Sequence, residues 1–267
     1  MTQQIRFDDG AAYERYMGRW SQLVGRAFLE WLAPPSGLQW LDVGCGNGAF
    51  TEILVEQCAP AALAGIDPSE AQLAFARSRQ ALATAEFRQG DAMALPYENG
   101  RFDAAVMPLV IFFVPDPAQG VAEMTRVVRP GGQVTAYGWD LEGGGFPYAA
   151  LQAELRALGA TVPMPPSPDA ASPGALRQVW TNAGLQAVEE REIVVRRTFE
   201  SFDDYWSTVL VGPSVGASLA ALSATTLARL VDTMRTRLPA DAAGRITVDA
   251  RANAIQGRVP GAHQEQT

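Results

Sequence analysis

Apolar and polar positions along the chain alternate between two periods. From Ala11 to Leu32, the residues Tyr13, Tyr16, Met17, Trp20, Leu23, Val24, Ala27, Phe28 and Trp31 recur at three- and four-residue steps. That spacing predicts an amphipathic helix with an aromatic face, stopped by Pro34-Pro35. Trp40 to Phe50 reads WLDVGCGNGAF, a short apolar run that breaks at glycine, and Thr51 to Gln57 resumes a helix-compatible pattern. The pattern predicts a buried strand, a glycine turn and a helix. Ala61 to Ile66 and Ala85 to Gln89 read as further strands, and a fourth apolar run follows Asp103, with a loop after it at Pro108 to Val110. Beyond Trp139, helices are predicted at Tyr148 to Leu158 and Gly174 to Gly184, and a strand at Gln186 to Thr198. The segment Phe199 to Gly244 reads as mostly helical, and Arg245 to Gly257 alternates as a last strand should.

The chemistry of this pattern concentrates where strands end. Gly44, Gly46 and Gly48 would let backbone N–H groups approach a ligand with no Cβ in the way. Twenty-one residues after Gly46, Asp67 closes the second apolar run ahead of Pro68-Ser69, where an acid can accept hydrogen bonds from ribose hydroxyls. Alone, these features leave alternatives open. Gly44, Gly46 and Ala49 also fit the dinucleotide fingerprint G-x-G-x-x-A, with Asp67 as the ribose acid of a nicotinamide-dependent enzyme. Gly212-Pro213-Ser214-Val215-Gly216 matches the nucleophile elbow of serine hydrolases, with His263 downstream. Too little chain follows that elbow to carry the remaining strands, and a proline before the serine suits a plain turn better.

Four segments in order, LDVGCGNG, GIDPSE, GDAMALPYENGRFDAAV and EMTRVVRPGGQVTAYGW, make the stretch from about Leu38 to Trp139 resemble the class I methyltransferases that use S-adenosylmethionine. The resemblance is to the small-molecule branch that includes the ubiquinone and menaquinone methyltransferases. It implies an α/β fold, a doubly wound, Rossmann-like sheet of seven strands with the last antiparallel, plus helical lid insertions. It also implies that Asp42, Gly44, Cys45, Gly46 and Gly48 wrap the methionine part of the cofactor, that Asp67 with Pro68 holds the ribose, and that Asp91 and Ala92 meet the adenine. Met107, Pro108 and Leu109 would lie beside the sulfonium. A cap formed by residues 1–37 would fold over a cofactor core at 38–140, bringing Tyr13, Tyr16 and Arg19 to the pocket, with Arg19 facing the methionine carboxylate. Residues 141–173 and 199–244 are the expected substrate lid, and Phe112, Trp139, Tyr205 and Trp206 its aromatic wall, joined by Phe113 and Tyr148.

Composition narrows the reaction. The 267 residues suffice for one substantial core. Net charge is −8, with no basic run beyond Arg196-Arg197, so a small-molecule substrate is expected and nucleic acid is not. No segment is apolar and long enough to span a bilayer and the first ten residues do not read as a secretory signal, so a cytoplasmic location is expected. The two cysteines, Cys45 and Cys58, form neither a metal spacing nor a disulfide framework. All 21 basic residues are arginine, which excludes Schiff-base, phosphate-loop and Tyr-Lys chemistry. The single histidine, His263, lies in a polar tail, which leaves Asp140, Glu142, Asp203, Asp204 or a tyrosine phenol as candidate bases. A domain that binds the cofactor or its demethylated product without transferring a methyl group would share these features.

Overall fold

A computed structural model describes residues 14–212 and 215–261 of the chain. The readings placed on Tyr13, on Pro213-Ser214 and on His263 lie outside the described residues. Seven strands form one sheet: β1 (Gln39–Val43), β2 (Ala62–Asp67), β3 (Glu86–Gln89), β4 (Phe102–Pro108), β5 (Val128–Trp139), β6 (Gln186–Phe199) and β7 (Ile246–Arg258). Their spatial order is β3-β2-β1-β4-β5-β7-β6. β1 to β5 run parallel, and β7 is antiparallel to both neighbours. Chain order reverses between β1 and β4, so a crevice opens at the carboxyl ends of those two strands. Trp40 to Val43 are buried throughout, which is what a central parallel strand covered on both faces requires.

The helices are α1 (Arg19–Leu32), α2 (Ala49–Cys58), α3 (Glu70–Ser78), α4 (Pro117–Val127), α5 (Ala149–Ala157), α6 (Pro173–Asn182), α7 (Phe202–Leu210), α8 (Gly216–Ala220) and α9 (Ala224–Arg237). Local chemistry fixes several starts. Ser69, Asp116, Ser201 and Ser223 each accept a backbone N–H two or three residues into the helix that follows, and Pro117 supplies a preset φ at the first position of α4.

The aromatic periodicity before β1 has a tertiary cause. Residues 14–18 form a wide π-type turn that feeds α1, and Tyr16, Met17, Trp20, Val24 and Phe28 are all buried. Phe28 meets Tyr137 of β5 at 4.7 Å and Phe50 of α2 at 6.3 Å. Trp20 meets Trp139 edge to face and donates its indole N–H to the Tyr148 hydroxyl at 3.2 Å. The described part of the expected cap is thus continuous with the main core, and removing it would open that core. β6 and β7 stay paired from Val194 to Phe199, past the end of β5, and this ribbon backs α1.

On the other side, the Trp180 indole of α6 is fully buried and donates to the Val134 carbonyl of β5 at 2.9 Å. Trp180→Ala is expected to cost about 3–5 kcal/mol by opening a cavity and stranding that carbonyl. Urea unfolding followed by tryptophan fluorescence measures it, and a change under 1 kcal/mol would mean α6 is not anchored there.

Candidate functional site

The turn after β1 is held by its own backbone. The N–H groups of Gly44 and Cys45 both donate to the Ile66 carbonyl, at 2.7 and 3.1 Å, tying the loop to the end of β2. Gly44 has φ +75°, and a Cβ there would collide with Val110. Gly46 has φ +51°, and the nearest atom to a Cβ there is Gln72 Oε1 at 3.9 Å, so the middle of the loop faces open space. Asp67 joins this turn to the next helix. Its carboxylate accepts Gly46 N–H at 3.0 Å on one oxygen and Ser69 N–H at 2.9 Å on the other. The remaining lone pairs of those oxygens can still receive ligand hydroxyls.

The neighbouring loops interlock with it. Gly90 N–H donates to the Asp67 carbonyl at 3.1 Å, and the Gln89 side chain donates to the Pro68 carbonyl at 2.9 Å. Asp91 is exposed and accepts the Met93 N–H at 2.8 Å, so Asp91 and Ala92 form a turn at the β3 edge of the crevice. After β4, Leu109 adopts φ +60° with its N–H held by the Tyr137 carbonyl at 2.7 Å. A leucine in that conformation costs about 1–2 kcal/mol, and the strain sits where β4 enters the crevice. Met107 is fully buried and lies near Gly120 of α4, so its side chain packs into the core behind the loop.

Asp42 carries the most perturbed carboxyl of the site. It is fully buried, and its Oδ2 accepts the Thr51 hydroxyl at 2.7 Å while Oδ1 has no partner. Burial pushes its pKa up to about 7, the Thr51 bond opposes the rise and the charge of Asp67 adds to it. Burial also raises Asp67, and it holds the Cys45 thiol protonated. A second cluster clamps the loop to the segment before α1. Arg79 donates to Glu14 at 2.6 Å, to Glu52 at 2.8 Å and to the Asn47 carbonyl at 2.7 Å, and Asn47 Nδ2 donates to Glu14 at 2.9 Å. Nothing in the sequence pattern signals this clamp, because its members are up to 65 positions apart.

Folded Asp42 keeps its proton up to about pH 7, whereas the unfolded chain releases it near 3.8. This group's contribution to stability is therefore complete below pH 3.8 and lost as pH rises to 7, by about 3–5 kcal/mol in all. Asp42→Asn should remove that fall, so the variant gains on the wild type between pH 4 and pH 8 in denaturant titrations. Parallel pH profiles for the two proteins would show that Asp42 is ionised in the native state.

Beside the loops lies a cavity of about 270 Å³. Its buried floor is Tyr16, Met17, Leu109, Phe112 and Trp139, and its exposed rim includes Glu142, Ala153, Arg156 and Met164. The Tyr16 ring stacks on Tyr148 at 4.6 Å, and the Tyr148 hydroxyl donates to the Tyr16 carbonyl at 2.8 Å. The segment 141–173 supplies the outer wall, and its loop is pinned under β4 by Ser167, whose hydroxyl donates to the Val114 carbonyl at 2.9 Å. Among the described residues, the segment 199–244 supplies none of the lining. Tyr205 packs against Tyr148 at 6.1 Å and Trp206 stacks on Phe202, and neither lines the cavity whose wall they were expected to form. Arg19 is exposed and does not line the cavity; its charge bears on Arg197, which stacks over Phe199 and Trp20.

The candidate bases separate cleanly. Asp140 is paired with Arg251 at 2.6 Å and Asp203 with Arg235 at 2.8 Å, while Asp204 accepts the Glu200 N–H at 3.1 Å. Burial pushes the Tyr148 phenol up to about 12 and raises Tyr205 further. Of the candidate carboxylates only Glu142 lines the cavity, and Tyr16 brings a phenol to its floor. Among the described residues no group of three or more His, Cys, Asp or Glu side chains could hold a metal, and no helix is long and apolar enough to cross a membrane.

Residues 41–136 match a family model described as a methyltransferase domain. The demethylmenaquinone methyltransferase of Lactococcus lactis is 39% identical over 103 residues, 37% of this chain and 41% of that protein. A fatty-acid O-methyltransferase of Mycolicibacterium smegmatis is 36% identical over 100 residues, 38% of this chain and 36% of that protein. The matches thus span about two fifths of the length of these relatives. Among solved structures, Haemonchus contortus phosphoethanolamine N-methyltransferase 2 in complex with S-adenosylmethionine superposes with a TM-score of 0.59 at 19% identity, over 95% of this chain and 57% of that one. At that identity the likeness is one of fold.

Proposed function

We propose that this chain, whose residues 41–136 match a methyltransferase domain model, transfers a methyl group from S-adenosylmethionine to a small, largely apolar acceptor. The observation that carries the proposal is the junction of two spaces at the carboxyl edge of the sheet: an open-faced glycine loop beside one buried and one half-buried carboxylate, Asp42 and Asp67, and an aromatic cavity that begins at Leu109. The loop fits the cofactor. The free Oδ1 of Asp42 is an orphaned buried acceptor suited to an ammonium group, and Asp67 keeps acceptor capacity for ribose hydroxyls. Gly44 to Gly48 would lie along the methionine part, Asp91 and Ala92 at the adenine, and Leu109 nearest the sulfonium.

S-adenosylmethionine supplies a methyl group already activated by its positive sulfur. The protein's share is alignment and exclusion of water, which can supply much of the rate. Tyr16, Phe112 and Trp139 hold the acceptor body against a dry floor, and their π faces suit a nearby positive charge. Glu142 is placed to take the proton released by a hydroxyl, thiol or amine acceptor. A cavity with these walls supports a working enzyme over a module that only binds the cofactor. The net charge of −8 supports a small molecule over nucleic acid, and the free buried cysteines Cys45 and Cys58 accord with a reducing, cytoplasmic location.

Titration calorimetry with S-adenosylmethionine, S-adenosylhomocysteine and NAD tests the reading. Binding of both adenosyl ligands and not of NAD is expected, and preference for NAD would replace it with the oxidoreductase alternative. Asp67→Ala should weaken S-adenosylmethionine by about 1–3 kcal/mol through the lost ribose and loop hydrogen bonds, and unchanged affinity would remove Asp67 from the site. Below pH 7, binding of S-adenosylmethionine should release close to one proton from Asp42, seen as a dependence of the heat on buffer ionisation enthalpy that Asp42→Asn abolishes.

A further inference from the structure

The cavity is electrically ordered, and its order specifies the acceptor more closely than its apolar floor does. Ala149, Gln152, Ala153 and Arg156 all line it and follow one another at i, i+3, i+4 and i+7 along α5. They therefore form a single stripe, about 10 Å long at 1.5 Å per residue. The stripe is small at its first position and cationic at its last. Glu154, between them in sequence, does not line the cavity and pairs with Arg237 of α9 at 2.6 Å.

Arg156 is the lining residue without a charge partner. Its Nη2 contacts Gln152 Oε1 at 3.4 Å and Met164 Sδ at 3.4 Å, both neutral and both long. Among the described residues no carboxylate lies within ion-pair distance of it. Glu142, the other charge on the lining, stands on the loop three positions beyond the end of β5 and makes no ion pair with Arg156. Two opposite charges on one pocket that do not neutralise each other leave both available to a ligand.

We propose that the pocket takes an amphipathic acceptor with an anionic group, a carboxylate or sulfate, on the end remote from the atom that is methylated, and that Arg156 pairs with this anion. A guanidinium suits such a group through its planar set of donors. The aromatic floor carries the apolar body, and the anion at the rim keeps its hydration on the outer side. Which end is methylated rests on the methyltransferase reading; the binding of an apolar anion at Arg156 does not.

The test uses the full-length protein with no cofactor. N-phenyl-1-naphthylamine, an uncharged fluorescent probe, is bound and then displaced by decanoate, decanol or decylammonium at pH 7.5. Decanoate should displace it at about three- to tenfold lower concentration than decanol, the range an exposed ion pair provides, with decylammonium weakest. Arg156→Gln should bring decanoate level with decanol and leave decanol unchanged, and Arg156→Lys should keep part of the preference. Arg196→Gln, an exposed arginine on β6, should keep all of it and so control for net charge. Equal displacement by all three ligands in the wild type, no displacement by any, or a preference that survives Arg156→Gln would each overturn the assignment. Calorimetry with S-adenosylmethionine on the same samples separates this failure from failure of the methyltransferase reading, because Arg156 lies outside the glycine loop.

Discussion

Two N–H groups converging on one carbonyl set the geometry on which the rest of this molecule depends. Gly44 and Cys45 both donate to Ile66, and Gly46 donates to the side chain one residue further on. The turn after β1 is thereby built onto the end of β2, and its shape follows from a strand already fixed in the sheet. That arrangement needs positive φ at Gly44, where any Cβ would strike Val110, the residue after Leu109. The loops following β1, β2 and β4 are thus mutually constrained, and the crevice between them is a product of sheet register more than of loop sequence.

Burial then decides what these loops can do electrically. A carboxyl carried into the core on β1 has lost its water, and one hydroxyl from Thr51 does not replace it. With no cation nearby, Asp42 stays protonated to about pH 7, and Asp67 beside it is shifted the same way. A cationic ligand would relieve both groups at once. Stability of the empty protein and affinity for such a ligand are therefore opposed in this corner of the structure, as expected where a site is held ready for charge.

Much of this was legible in the sequence, for identifiable reasons. Glycines at alternate positions, acids at strand ends and short apolar runs are local signals, and they placed β1 to β4 and the turns that follow them along the chain, although Met107 packs into the core. The antiparallel last strand showed in the alternation of residues 245–257. Properties that depend on long-range packing were not legible. The Glu14–Arg79–Asn47 clamp joins distant positions with no shared spacing. Tyr205 and Trp206 look like pocket aromatics by composition, yet on α7 Tyr205 packs against Tyr148 and Trp206 stacks on Phe202. The stripe on α5 lies in plain periodicity, but a helix has two faces, and only the tertiary structure shows which of them Arg156 occupies.

The absence of lysine gives the charge distribution a chemical consequence. Every cation of the described residues is a guanidinium, which stays protonated at any pH an enzyme meets and so cannot accept a proton. On the proposed reading, proton movement near the acceptor is left to a carboxyl or to the Tyr16 phenol, and the geometry leaves few carboxyls. Asp140 is neutralised by Arg251 and Asp203 by Arg235, while Asp42 is buried and does not line the cavity. Glu142 alone combines a position on the cavity with freedom from an ion pair among the described residues. On the proposed reading, a carboxyl at the rim takes up the proton that the nucleophile sheds once bonding to carbon has made it acidic.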